Sequence, residues 1–178
     1  NRNRARARWA YYFFLGVDIE GLSARTTDQA ALSDENNPTL NNSNCTVCHN
    51  IMDPVAGAFQ NYGDGGYYRN QPGGENSLPR SYRNDPQSLY QIGDTWYPDM
   101  LAPGFGEKLA PDADNSLQWL AQEFINDSRF GYGTVNFWYP AVMGRKPYAQ
   151  PKNSEDSDYQ SRLAAYTTEL ELMQSVAD

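Results

Sequence analysis

The chain has 178 residues, with 14 basic side chains against 22 acidic ones and a formal charge of −8, which excludes nucleic acid as a partner for the surface as a whole. Mean hydropathy is −0.76, and no apolar run approaches the ~18 residues needed to cross a bilayer, so no membrane span is expected. Aromatics make up 13% of the chain, with thirteen Tyr and four Trp, which predicts a core with wet margins or a large partner surface.

Residues 4–15 read as a helix: Ala and Arg alternate, Trp9, Tyr12, Phe13 and Leu15 cluster behind them, and Gly16 supplies the stop. The basic opening "NRNRARAR" is expected to be a solvated terminus. Residues 17–44 are rich in Asn, Asp, Ser and Thr and predict a long loop. A second helix is expected over 44–52, ending at Asp53-Pro54 because the residue before a proline resists the helical region. From 57 to 93, "GDGG", "QPGGENSLP" and "RNDP" predict mainly loop.

Residues 117–125 place Leu117, Leu120, Ala121, Phe124 and Ile125 on one helical face, with Asp114, Asn115 or Ser116 as the cap. A further helix is expected over 134–143, bent or delayed by Pro140 and closed by Gly144. The last runs over about 157–176 with Leu163, Tyr166, Leu170 and Met173 on one stripe. No alternating strand of any length and no repeat is visible. The expected fold is mostly α, with long irregular connections.

"NCTVCHN", residues 44–50, holds both cysteines and the only histidine. Structural zinc needs four thiolate or imidazole ligands, usually from two such knuckles, and here there is one. A redox dithiol belongs at a helix start in a βαβ setting, which the sequence lacks, and it gives no reason for a His behind the second Cys. Cys-x-x-Cys-His is the attachment signature of a c-type haem. Thiols at i and i+3 share one helical face and can add to the two vinyl groups on one porphyrin edge, while the next residue offers its imidazole to the iron. Cys45, Cys48 and His49 are therefore read as the anchors of one covalent haem c per chain, in a cytochrome c-like helical domain.

With one histidine, bis-histidine ligation within the chain is excluded. The opposite axial position is open to Met52, Met100, Met143, Met173, a lysine, water or a neighbouring chain. Met52 lies one turn after His49 on the same helix and is expected to pack near the haem edge instead. Met100, in the proline-bounded loop "WYPDMLAPGF" about fifty residues after the motif, is the preferred candidate. Met143 is expected in a core, and Met173 on the packing stripe of the last helix. Arg69 leads Arg80 and Arg83 as a partner for haem propionates, because a guanidinium fork suits a carboxylate. Trp96, Tyr97, Tyr67 and Tyr68 are candidates to line the haem.

Beyond the motif, "CTVCHNIMDPVAGAFQNYGDGGYYR" (45–69) resembles the planctomycete-type cytochrome domains of secreted bacterial proteins. Met52, Asp53, Pro54, Asn61, Tyr62, Gly66, Tyr68 and Arg69 fit that pattern without a gap. "RARWAYYFFLG" is similar to the segment that precedes the haem motif in that family, and "FWYPAVMGRKP" to its closing Gly-Arg block. Ala56-Gly57 and Gly63 depart from it, and the segment around 94–112 is longer, so the resemblance supplies no sixth ligand. It implies a haem domain over 1–150, followed by a helical extension over 151–178, in a bacterial periplasmic or extracellular setting. With no initiator Met and no signal peptide, the chain is expected to be processed or a piece of something longer.

The expected function is one-electron transfer to a redox partner protein, as an electron carrier more than a catalyst. Two alternatives stay open: a peroxidase-like enzyme with a free sixth site, and a haem module of a multi-haem assembly, homo-oligomer or filament. "DADNSLQWLAQE" (112–123) places acids at calcium-loop positions but has Leu117 where such a loop needs Gly, so it reads as a helix cap.

Overall fold

A computed structural model describes residues 2–35, 38–62, 66, 101–112 and 114–178. Of these, 62% are helical, in seven α-helices and a single 3-10 turn, so the mostly α expectation holds. Contacts divide the chain into two compact units: Asn1–Tyr11 with Asp18–Ile125, and Tyr12–Val17 with Asn126–Asp178.

Helix α1 (Arg2–Leu15) belongs to both units and stops at Gly16, whose φ of 67° is the left-handed conformation that ends helices at little cost to a glycine. Its basic residues are not a solvated tail. Arg4 pairs with Asp53, Arg8 with Asp18 and Glu20, and the Arg6 guanidinium lies 5.2 Å from the centre of the Tyr62 ring. Asp53 reaches Arg4 across 49 positions and Asp18 reaches Arg8 across 10, pairings that composition in a short window cannot reveal.

The stretch expected as one long loop is broken by a 3-10 turn (Ile19–Gly21) and two single-turn helices, α2 (Gln29–Leu32) and α3 (Pro38–Asn41). Its polar residues start these turns: Asp18 accepts from the Glu20 N–H at 3.2 Å and Asp28 from the Ala30 N–H at 3.0 Å. Asn42 does the same for α4 (Ser43–Ala58), accepting from the Asn44 N–H at 3.0 Å.

Helix α4 corrects the expectation that Asp53-Pro54 ends the helix, since Pro54 lies inside it. All six residues from Asp53 to Ala58 are buried. Packing of this small apolar end outweighs a disruption of about 3 kcal/mol by an interior proline. Gly57 permits the approach: a Cβ there would stand 2.9 Å from the Leu101 carbonyl oxygen and 3.0 Å from the Pro103 nitrogen.

A two-residue hairpin, β1 (Gly104–Phe105) against β2 (Lys108–Leu109), packs on α4 and carries Phe105 into the core. Phe105, Tyr11 and Phe124 form an aromatic triangle with centroids 5.0 to 5.9 Å apart. Phe124 comes from α5 (Ser116–Ile125), where Ser116, Leu120 and Phe124 are buried while Ala121 and Ile125 are exposed. The expected face is therefore rotated. In the turn that enters α5, Asp112 accepts from the Asp114 N–H at 3.0 Å and from the Asn115 amide.

In the second unit, α6 (Arg129–Met143) and α7 (Tyr159–Ala177) run antiparallel, with Gly131 against Ala177 and Tyr139 against Glu169. Helix α6 begins earlier than expected because its two glycines are close-packing sites. Gly133 touches the backbone of Phe14 and Leu15, where a Cβ would fall 2.2 Å from the Phe14 oxygen. Gly144, at φ 69°, closes α6 as expected. Met143 is not core: it is 52% exposed in the last turn of α6, whereas Met173 is buried on the α7 stripe as expected.

The same stripe buries Glu169, only 8% exposed. Its carboxylate accepts from the Tyr139 hydroxyl, the Arg145 guanidinium and the Tyr148 N–H. Burial pushes this carboxyl group up, but those three donors outweigh it and hold Glu169 below its ordinary value.

Candidate functional site

Helix α4 presents its chemistry in order along one rod: Cys45, Cys48, His49 and Met52, then Asp53 at the edge of the buried end. Positions 45, 48, 49 and 52 follow the i, i+3, i+4 spacing of one helical face, and all four side chains line one cleft of about 500 Å³. The cleft has the size of an ordinary ligand site. Its other walls come from the first helix (Arg4, Arg8, Trp9), from the 3-10 turn (Ile19, Glu20), and from residues 23–26 and Leu32.

Both cysteines are free thiols and half-buried. The Cys48 sulfur lies 3.7 Å from the Ile19 carbonyl oxygen. Burial, and then the charge of Glu20, push the Cys48 thiol above its ordinary value, so the neutral form is favoured.

His49 is oriented by a carboxylate. Its Nδ1 lies 3.1 and 3.0 Å from the two oxygens of Asp53, one helical turn on. Asp53 has no exposed side-chain surface, and Arg4 grips it through two bonds, Nε to Oδ1 and Nη2 to Oδ2, both 2.8 Å. A carboxylate held by a guanidinium can only accept, so Nδ1 carries the hydrogen and donates. The lone pair is then on Nε2, the one ring atom suited to a metal.

Arginines frame the mouth. Arg8 is bound to Asp18 and Glu20, at 3.2 and 2.9 Å, and Arg25 to Glu20 at 3.1 Å with 84% of its side chain exposed. Sequence reasoning preferred Arg69 for anion pairing over Arg80 and Arg83, which it expected in solvated loops; all three lie outside the described residues, as do Met100, Trp96, Tyr97, Tyr67 and Tyr68. It missed Arg4, Arg8, Arg25 and Trp9. The i, i+4 spacing of His49 and Asp53 was a signal that could have found that pair; no local spacing announces Arg4.

The residues brought together are of the kind a covalent haem requires: two uncommitted thiols one turn apart, an imidazole with Nε2 available, a thioether beside it and cations at the rim. Among the described residues, no three His, Cys, Asp or Glu side chains gather as a set for a bare metal ion. None of the described helices is long and apolar enough to cross a membrane. No family model, curated protein or solved structure matches the chain.

Proposed function

We propose that the chain is a monohaem c-type cytochrome domain of the planctomycete type, working in one-electron transfer outside the cytoplasm. One observation carries the reading: Cys45, Cys48 and His49 open into a single cleft, and the Nδ1 of that histidine is already committed to a buried carboxylate. When bound, haem would supply a one-electron Fe(III)/Fe(II) couple.

Cys45 and Cys48 would each add S–H across a vinyl group to give a thioether, a reaction that needs neither a disulfide nor a metal-bound thiolate. His49 would supply a nitrogen ligand through Nε2. Met52 and Trp9 would add apolar lining from the same cleft, and Arg8 and Arg25 would supply guanidinium partners for carboxylates of the group; Arg69, outside the described residues, keeps that role on the sequence alone. Met100, also outside them, is kept as the sixth ligand on the sequence argument.

The test is expression together with haem-attachment machinery, followed by intact-mass and visible spectra. The expected result is the mass of one haem that survives acid extraction, with a low-spin spectrum and a weak far-red sulfur-to-iron band that Met100→Ala abolishes. A polypeptide carrying no added mass would overturn the reading. A high-spin spectrum would move it to the peroxidase-like alternative.

A further inference from the structure

Resting on that reading of the cleft, we propose that Asp53 is the positioning and tuning residue of His49: its buried carboxylate fixes the ring and makes Nε2 a more electron-rich donor, lowering the reduction potential of the domain. Three observations converge. The carboxylate is within 3.0 and 3.1 Å of Nδ1 on the same helix, so the contact is built into α4. Asp53 is fully buried, so water does not screen the bond. Both its oxygens are held by Arg4 at 2.8 Å, which fixes the carboxylate in place beside the imidazole.

The chemical reason is the difference between acceptors. A histidine ligand needs some partner for its second N–H, and a neutral carbonyl suffices to fix the tautomer. A carboxylate accepts a bond about twice as strong as a neutral group does. It would draw the Nδ1 hydrogen toward itself and leave more electron density on Nε2, which would favour the more highly charged oxidised form of a bound metal. Arg4 works against this, because every electron pair that Asp53 commits to the guanidinium is withdrawn from the imidazole. The arrangement is therefore a balance: Asp53 strengthens the ligand, and Arg4 sets by how much.

Two substitutions in the haem-loaded chain move the potential in opposite directions. Asp53→Asn keeps an oxygen acceptor near Nδ1 but removes its charge. The reduced form should then gain at least tenfold at a fixed ambient potential, a rise of about 59 mV for one electron. Arg4→Lys replaces the two-pronged grip by a single charged donor and frees carboxylate density for His49, so its potential should fall. The hyperfine-shifted ring protons of His49 in the oxidised protein should move in both variants, in opposite senses. A purely structural salt bridge would alter melting and haem retention but not the potential.

A shift of less than twofold in Asp53→Asn overturns the inference and leaves the electron-carrier reading intact. Should Asp53→Asn fail to retain haem, Arg4→Lys decides, and an unmoved or raised potential overturns the inference. Absence of haem from the unsubstituted chain would overturn both readings together.

Discussion

The Arg4 guanidinium holds both carboxylate oxygens of Asp53 at 2.8 Å, joining the first helix to α4 across 49 positions of sequence. The pair is nearly dry, with side chains 15% and 0% exposed. Removing one partner of such a pair strands a buried charge, at a cost of about 3–5 kcal/mol. Arg4→Ala should therefore lower the urea midpoint strongly. Arg25→Ala, which removes an exposed ion pair, should change stability by no more than about 0.5 kcal/mol. Equal effects from the two would contradict the assigned burial.

Gly133 is a packing glycine. Its neighbours are the backbone atoms of Phe14 and Leu15, which cannot rotate away from an added methyl group. Gly133→Ala should destabilise by roughly 1–3 kcal/mol or more through overpacking, even though alanine is the better helix former. Gly106→Ala meets open space but keeps a φ of 59°, so its smaller loss isolates backbone strain from steric conflict. Thermal melts followed by circular dichroism would separate the two, and a Gly133→Ala protein as stable as wild type would refute the contact.

Glu169 gives the second unit a pH dependence with a definite sign. Its folded value lies below the ordinary 4.5. The stability it contributes is therefore complete above pH 4.5 and is lost as the pH falls through the lower, folded value. Glu169→Gln should lower the melting temperature at neutral pH and flatten the decline of stability with acid. A variant whose acid-side slope matches wild type would show that the Tyr139, Arg145 and Tyr148 donors do not hold the charged form.

On the proposed haem reading, the two cysteines should contribute separably to attachment. Cys45→Ala and Cys48→Ala would each leave one thioether, which should appear as a shifted haemochrome band with the cofactor mass retained. The double variant should lose covalent haem altogether. Retention of covalent mass in the double variant would place the attachment elsewhere in the chain.

Local pattern made much of this architecture legible. Helix-forming composition over 4–15 and apolar stripes over 117–125 and 157–176 place three helices within a few residues, and Gly16 and Gly144 mark where the first helix and α6 stop. The same reasoning failed wherever distant packing governs. Pro54 is tolerated because the six residues around and after it are buried, and the arginines of the first helix are anchored by acids that no short window contains. The donor set was visible as a motif, and His49–Asp53 as a spacing. The cleft walls were not, since they are assembled from α1, the 3-10 turn and the residues after it.

Burial along α4 is graded: its first ten residues are exposed or half-buried, and its last six are sealed in the core. The helix works as a cantilever. Its embedded end is anchored by burial, while the half-buried end, flanked by the 3-10 turn, carries sulfur and imidazole at separations dictated by helical rise, so a cofactor seated there would lean on a support rooted in the protein interior.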